Sequence, residues 1–292
     1  MKNMDTQHLK AFTTVARLGS FTEAAARLHL TQPAISKRIS ALEQQLDCRL
    51  FDRVNRGISL TPAGQALLPR AEAILESVAD TELAITNLTG AVSGTLKLVT
   101  SHHIGLHYLP RILKLYTRKY PDVEMDLNFL DSERAYSSIV RGEAELGIIT
   151  LSPDSQETTE SQLLWRDRLS FVVAADHPLA SAAKVSLADL SRTTNILPDT
   201  GTRTTRLIQS LFAEQGLSLA AGMTTNYLET IKMMVSIGLG WSALPDTILD
   251  DSLAVLTIED AELSRELGYI RHRERTLSNA AQAFIEVMLE KV

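Results

Sequence analysis

The stretch that decides the N-terminal fold is FTEAAARLHLTQPAISKRISALEQQL, residues 21–46. Ser20 comes directly before it and Glu23 follows three residues later, which is the capping-box pattern of a helix N-terminus. Thr31 is a suitable cap for a second helix, because Pro33 then falls in the first turn, where its missing N–H is tolerated. Apolar residues continue this second helix at helical spacing: Ile35, Ile39, Leu42 and Leu46. Two short helices joined by a tight turn predict a helix-turn-helix.

Flanking segments extend this module. Upstream, apolar residues at helical spacing between Asp5 and Leu18 predict a helix that ends at Gly19. Downstream, LFDRVNRGISL at residues 50–60 predicts a β-hairpin wing with arginines near its tip. The first 70 residues carry ten Lys or Arg against five Asp or Glu, whereas the remainder carries 19 against 30. A basic module on an acidic body favours a polyanion as the partner of the N-terminal region.

The composition is that of an ordinary folded protein. The chain has 292 residues, of which 45% are apolar and 22% charged, a length that suggests about two domains. Its single cysteine, Cys48, has no intrachain partner, which fits a reducing compartment. The first residues hold no apolar stretch, and no run of about 18 apolar residues occurs. We therefore expect a cytoplasmic protein that does not contact a membrane.

A long helix is predicted to begin at Thr61 and Pro62 and to run to about residue 88. Its apolar positions alternate in steps of four and three residues, with Thr81 filling one place in the series: Leu67, Ala71, Ile74, Val78, Ile85 and Leu88. This spacing is typical of a coiled-coil seam, and such a helix is about 42 Å long. We interpret it as an arm through which two copies dimerise. Packing of this helix against the C-terminal part of its own chain is the alternative.

The rest of the chain alternates strands with helices. Predicted strands cover 96–100, 123–129, 146–149, 169–173 and 195–197, and predicted helices cover 132–141, 202–215 and 228–237. This alternation favours a mainly parallel sheet with helices on both faces. Because the pattern restarts after Trp165, we expect two lobes.

Hydroxyl side chains are concentrated where the predicted strands end: Thr100, Ser101, Thr150 and, beside Gly201, Thr202. In open α/β sheets, ligands bind beyond the carboxyl ends of the strands, where helix N-termini offer free N–H groups. Hydroxyl and N–H donors without a buried Lys or Arg predict a reversible site for a small carboxylate. The alternative for each hydroxyl is that it merely caps its own helix.

Three histidines follow the first of these strands: His102, His103 and His107. His103 and His107 are four residues apart, a spacing that brings two metal ligands to one face of a helix. The sequence identifies no third ligand, so we predict neither a metal nor a cofactor and favour a cationic histidine beside the carboxylate. Motifs of catalysis such as GxSxG, HExxH or GxGxxG after a strand are absent from the sequence, so no enzyme is expected.

The chain resembles the LysR-type transcriptional regulators, through residues 21–46 and LFDRVNRGISLTPAG at residues 50–64. The resemblance continues, in the family's order, through GTLKLVT, YPDVEMDL, RGEAELGII, ADHPLA and VSIGLGWSALP. It implies an α/β fold with an N-terminal winged helix-turn-helix, a long linker helix and a two-lobed periplasmic-binding-protein-like effector domain. The implied bounds are 4–61 for the DNA-binding domain, 62–90 for the linker and dimerisation helix, and 91–292 for the effector domain. Lobe I would hold 91–163 and 268–292, lobe II 164–267, with crossing segments near 162–166 and 264–268.

The resemblance also implies site residues and partners. DNA contacts are implied for Thr31, Gln32, Pro33, Ser36, Lys37, Arg38, Arg53 and Arg56. Effector contacts are implied for Thr100, Ser101, His102, His103, Thr150, Gly201, Thr202 and Asn226. The implied partners are a double-stranded DNA operator with interrupted dyad symmetry, a small organic acid, further copies of the chain in a homodimer or homotetramer, and RNA polymerase. A cytosolic solute-binding protein or a metal-sensing protein is the alternative function.

Overall fold

The computed structural model describes residues 4–54, 57–152, 158–182, 184–219, 222–259 and 261–291. The chain divides into two compact units, Met1–Thr89 and Gly90–Val292. In the part of the chain that is described, no helix combines the length and apolar character needed to cross a membrane.

The first unit consists of helices around a small core, with a hairpin and a long helix after them. Its elements are α1 (Thr6–Leu18), α2 (Phe21–Arg27), α3 (Gln32–Leu46), β1 (Phe51–Val54), β2 (Gly57–Leu60) and α4 (Pro62–Asn87). The predicted helix-turn-helix is therefore present, and β1 pairs antiparallel with β2 as the predicted wing. The core is formed by the inner faces of the helices, with Phe12, Leu42 and Leu50 fully buried.

The predicted helix caps are confirmed at their backbone bonds. Ser20 accepts from the Glu23 amide at 3.2 Å, Thr31 from the Ala34 amide at 3.4 Å, and Thr61 from the Gly64 amide at 3.0 Å. Each bond satisfies one N–H that the first turn of a helix leaves unpaired. The second bond of the predicted capping box, from the Ser20 amide to the Glu23 carboxylate, is not found among the described residues.

The predicted seam of α4 divides into a packed part and an exposed part. Ala71 is fully buried, and Leu67 packs against the core of the first unit. Farther along, Ile74, Val78 and Ile85 are 41%, 38% and 65% exposed. The first turns of α4 thus anchor the helix to the helix-turn-helix, while its later apolar residues face solvent.

The second unit alternates strands and helices, as predicted. Its elements are β3 (Gly94–Thr100), α5 (His102–His107), α6 (Pro110–Lys119), β4 (Val123–Phe129), α7 (Ser132–Val140), β5 (Leu146–Thr150), β6 (Thr159–Ala174), α8 (Leu187–Ser191), β7 (Ile196–Leu197), α9 (Arg203–Glu214), β8 (Met223–Thr224), α10 (Leu228–Ser236), β9 (Ser242–Pro245), β10 (Leu253–Val255), β11 (Leu263–His272) and α11 (Asn279–Leu289). Within the described ranges, the main sheet has the order β10-β6-β11-β5-β3-β4, and β9 also pairs with β6.

The expectation of a mainly parallel sheet is correct for only part of the molecule. Strand β3 runs parallel to β4 and β5, but β6 and β11 pair antiparallel with each other and with their other neighbours. The reason is that both crossing segments enter the sheet as long strands. Strand β6 alone spans 16 residues, far more than the predicted 169–173.

The β6–β11 ladder joins two halves of the second unit. Its register runs from Leu263 opposite Leu169 to His272 opposite Thr159, with an irregularity at Leu267/Gly268. The first half holds β3–β5, α5–α7 and α11, and the second holds β7–β10 and α8–α10; each half has its own apolar clusters. The two crossing segments expected from the sequence both lie in this ladder.

Candidate functional site

The N-terminal half of α3 presents a polar face. Ile35, on its inner side, is fully buried, whereas Thr31, Gln32, Pro33 and Lys37 are exposed. This division follows from the helical spacing of the apolar residues, since the side chains between them must point away from the core.

Of the four other predicted DNA contacts, two are half-buried and the side chains of two are not described. Ser36 is half-buried and its hydroxyl accepts a hydrogen bond from Gln32 Nε2 at 2.9 Å. Arg38 is also half-buried, and its Nη1 lies 3.4 Å from Gln7 Oε1 on α1. The side chain of Arg53 and the whole of Arg56 lie outside the described residues. The hydrogen bond between Gln32 and Ser36 orients the Gln32 side-chain amide. This amide then offers its oxygen and its second N–H to a base edge.

A cleft of about 60 Å³ lies between the two halves of the second unit. Its lining residues are Ser101, His102, His103, Asp131, Ser132, Glu133, Thr150, Pro198, Thr202, Arg203, Thr204, Asn226, Leu228 and Arg265. Six of the eight residues expected to contact an effector therefore come together here. They meet because β3 and β5 are neighbours in the sheet and end at the same edge, facing the start of α9.

Thr100 and Gly201 are the two predicted effector residues that do not line the cleft. Thr100 is fully buried, and its hydroxyl donates to the Ile148 carbonyl at 2.9 Å, its register partner on β5. Gly201 is exposed, and its amide donates to Asp199 Oδ1 at 2.9 Å. In both cases the group expected to donate a hydrogen bond to the effector donates one within the chain instead.

Thr202 and Ser101, which directly precede α9 and α5, differ in the hydrogen bonds that their hydroxyls make. Thr202 accepts from the Thr205 amide at 3.3 Å and donates to the Asp199 carbonyl at 2.7 Å, so it acts as a helix cap. Ser101 precedes α5 in the same position, yet its side chain caps no amide of that helix. No hydrogen bond of the Ser101 hydroxyl is found in the described part of the chain, so this hydroxyl can donate to a ligand in the cleft.

Carboxylates of the first half bridge the cleft. Glu133 Oε1 accepts from the Arg203 amide, at the N-terminus of α9, at 2.8 Å. Asp131 Oδ2 accepts from Asn226 Nδ2 at 3.0 Å. Neither acid was expected at the site from the sequence. The segment Asp-Ser-Glu at 131–133 nevertheless has the form of a helix start, and a helix start directly after a predicted strand marks residues near that strand's end. The N-terminus of α9 is therefore already occupied by a carboxylate of the chain itself.

A buried ionic cluster includes two residues that line the cleft, Arg265 and Thr204. Arg265 donates from Nε to Asp167 Oδ2 at 2.7 Å and from Nη1 to Thr204 Oγ1 at 3.1 Å. Tyr108 donates from its hydroxyl to Asp167 Oδ1 at 2.8 Å. The side chains of Arg265 and Asp167 are only 7% and 1% exposed. The expectation of a site without a buried Lys or Arg is therefore wrong.

One donor of this cluster is left over. Within the described part of the chain, Arg265 Nη2 is buried and has no hydrogen-bond partner. A buried unsatisfied guanidinium N–H is costly, and Arg265 lines the cleft. A carboxylate is the ligand that a guanidinium binds best, because its two oxygens match the planar donor geometry.

Burial and neighbouring charges determine the protonation states of Asp167 and His103. Burial raises the pKa of Asp167, but the neighbouring His103 and the charge and hydrogen bond of Arg265 outweigh that effect and hold the pKa below its usual value. Burial lowers the pKa of His103 by more than Asp167 raises it, so the imidazole is neutral at pH 7. The expected cationic histidine is thus disfavoured at His103. His102 packs instead against Phe129 and Tyr227, with ring centroids 5.4 and 4.7 Å away.

The family models match the chain in two consecutive parts. Residues 6–65 match the model described as "Bacterial regulatory helix-turn-helix protein, lysR family", and residues 89–292 match "LysR substrate binding domain". The second match alone covers more than half of the chain.

Individual proteins agree with these matches. A probable RuBisCO transcriptional regulator of Synechocystis sp. is 31% identical over 291 residues, which cover 96% of this chain and 84% of that protein. An uncharacterized HTH-type transcriptional regulator in the ibpB–leuC intergenic region of Azotobacter vinelandii is 64% identical over 107 residues, 37% of this chain and 74% of that protein. A full-length OxyR variant from Pseudomonas aeruginosa has the same fold, with a TM-score of 0.70 at 22% identity over 99% of this chain and 95% of its own. The chain belongs to the LysR family of helix-turn-helix, DNA-binding transcriptional regulators.

Proposed function

We propose that this regulator responds to a small organic acid whose carboxylate binds in the cleft. The observation that carries the proposal is Arg265, a buried cation that lines the cleft with an unsatisfied Nη2. Ser101 and Thr150, at the ends of neighbouring strands, add hydroxyl groups on the other side. Hydrogen bonds to a charged group contribute about 1.5–3 kcal/mol each, so three such donors suffice for a reversible metabolite site.

Binding of an acid must widen the cleft. Its volume of about 60 Å³ is well below the roughly 300–1,000 Å³ of a typical ligand pocket. An incoming carboxylate also competes with Glu133 for the N-terminus of α9. Because Glu133 belongs to the first half and α9 to the second, this competition changes how the two halves are held together. The ligand then shifts the population of the two arrangements by as much as its affinity for them differs.

The first prediction tests whether the acid contacts a residue that lines the cleft or a neighbouring residue that does not. Ser101→Ala removes a hydroxyl donor that caps no helix amide, so we expect the Kd of the acid to rise roughly 10- to 150-fold. Thr100→Val is the matched control: it removes a neighbouring hydroxyl that is committed to Ile148, and the affinity should stay within about threefold. The measurement is a thermal-shift screen of mono-, di- and tricarboxylic acids, followed by calorimetry. Equal responses of the two variants would exclude the proposed site.

We also propose that the polar face of α3 enters the DNA major groove. Gln32 and its neighbours Thr31, Pro33, Ser36, Lys37 and Arg38 would lie along the base edges and the adjoining backbone, with Arg53 and Arg56 of the wing beside them. Two copies joined through α4 would read an operator with interrupted dyad symmetry, since half-sites follow the spacing of the recognition helices. A homotetramer in the cytoplasm, with RNA polymerase as a further contact, completes the proposal.

The second prediction concerns sequence readout. Gln32→Ala removes the amide that can pair with an adenine edge, and we expect it to lose about 1–3 kcal/mol of discrimination at one position of each half-site. Lys37→Ala is the contrasting variant, because loss of a phosphate contact weakens all sequences alike and lowers the salt slope by about one. Anisotropy titrations on operators selected in vitro measure both. An unchanged sequence preference in Gln32→Ala would contradict the placement of α3.

A further inference from the structure

Three metal-ligating side chains meet where α5 faces the start of α10. One ligand atom from each of His103, His107 and Glu229 lies within 4.8 Å of the other two. We propose that these residues form a site for a divalent transition-metal ion of the Zn²⁺ class, beside the carboxylate cleft and independent of it for its occupancy. The sequence shows the two histidines, but Glu229 lies more than 120 residues later and is joined to them only by the fold.

The geometry needs little adjustment to hold an ion. His107 Nε2 is 2.9 Å from Glu229 Oε1, and the rings of His103 and His107 have centroids 5.0 Å apart. Zinc takes imidazole nitrogen at about 2.0–2.1 Å and carboxylate oxygen at about 2.0–2.2 Å, so ligand atoms around a tetrahedral ion lie roughly 3.4 Å from one another. Small rotations of side chains on α5 and α10 bring the three atoms to that spacing.

An independent observation is the state of His103. Its side chain is 4% exposed, and neither ring nitrogen has a well-aligned hydrogen-bond partner in the described ranges. A buried imidazole with no well-aligned hydrogen-bond partner costs about 1–3 kcal/mol and requires an explanation. A bound ion supplies the missing partner, because a neutral imidazole nitrogen is a usual ligand of Zn²⁺.

The surroundings of the three ligands also favour the binding of a cation. Asp167 Oδ2 lies 3.5 Å from His103 Nε2, which places a carboxylate where it can hold the ring's orientation. The positive charge of Arg265 is offset by its own ion pair with Asp167. His107 and Glu229 are 31% and 42% exposed, so an ion can enter from solvent.

The number of ligands indicates what kind of site this is. Three protein ligands leave a fourth position open to water or another small ligand, unlike closed structural zinc sites, in which the protein supplies all four ligands. The histidines belong to the first half of the second unit and Glu229 to the second half. A bound ion therefore links the two halves directly.

The test is titration of the EDTA-treated full-length protein, purified without a polyhistidine tag. We expect calorimetry with Zn²⁺ to give one ion per chain at micromolar or tighter Kd, and Co²⁺ to give visible d–d absorption of an N/O site. His107→Ala and Glu229→Gln should each raise the Kd at least about 30-fold, because loss of even an outer-shell partner costs about 10- to 100-fold in metal affinity. Both residues are partly exposed, so circular dichroism should show both variants folded.

The matched controls are His272→Ala and Cys48→Ser. His272 lies seven residues from Arg265 along β11, about 23 Å away, and Cys48 is in the first unit. Neither control should change the affinity. The proposal is overturned if wild type binds no ion at stoichiometric concentration, if both ligand variants bind like wild type, or if either control abolishes binding.

Discussion

The double substitution Ile74→Asp and Val78→Asp is expected to convert the protein into a monomer and to abolish operator binding at concentrations that saturate the wild type. Both side chains are exposed on one face of α4, at 41% and 38%, and Ile85 continues that face. Burying two unpaired carboxylates in an apolar seam costs several kcal/mol in each helix, more than a dimer interface of this length can absorb. Sedimentation velocity and an operator footprint are the measurements.

The control for this variant adds the same charges elsewhere on the same helix. Ala73→Asp with Ala79→Asp places two carboxylates at exposed positions outside the seam, and this protein should remain a dimer. A seam variant that still sediments and footprints like wild type would refute dimerisation through α4.

The second large effect concerns the ionic cluster that includes Arg265 and Asp167. Arg265→Met removes the partner of Asp167 and leaves a buried carboxylate uncompensated, which costs about 3–5 kcal/mol of unfolding free energy. Lys184→Met is the contrast, because the Lys184–Glu259 pair is almost fully exposed and should contribute nothing measurable. Urea unfolding at pH 7 compares the two. A loss for Arg265→Met as small as that for Lys184→Met would contradict the role given to this cluster.

The same pair predicts a pH dependence with a definite sign. In the wild type the pKa of Asp167 is lowered, so its contribution is present at neutral pH and is lost as pH falls through that lowered value. In Arg265→Met the buried Asp167 carboxyl prefers the protonated form. Lowering the pH protonates this group and so reduces the destabilisation of the variant. The difference in unfolding free energy between wild type and Arg265→Met should therefore narrow as pH falls toward about 4.

Local signals predicted a large part of this molecule. The caps at Ser20, Thr31 and Thr61 identified three helix starts, because capping depends on residues only three positions apart. The strand 123–129 was predicted with its observed bounds, since its alternation of apolar and polar residues has the period of a half-buried strand.

Features that depend on distant residues were not predictable in this way. Asp167 and Arg265 are 98 positions apart, and only the pairing of β6 with β11 makes their charges meet. Glu133 occupies the N-terminus of α9 from the other side of the cleft, a contact across 70 positions. Thr100 shows the converse: its place at a strand end suggests a ligand contact, yet its hydroxyl donates a hydrogen bond to a carbonyl of the neighbouring strand. Each of these outcomes is decided by strand order, which local patterns do not specify.

Hydrogen exchange of the full-length protein, with and without the organic acid that raises its melting temperature most, tests directly whether an acid binds in the cleft. If a carboxylate binds in the cleft, backbone amides should gain protection in the segments that line it, 101–103, 131–133 and 202–204. The same acid should leave these segments unprotected in Ser101→Ala at a concentration that saturates the wild type. Protection confined to other parts of the second unit, or no protection with any acid of the screen, would contradict binding of a carboxylate in the cleft.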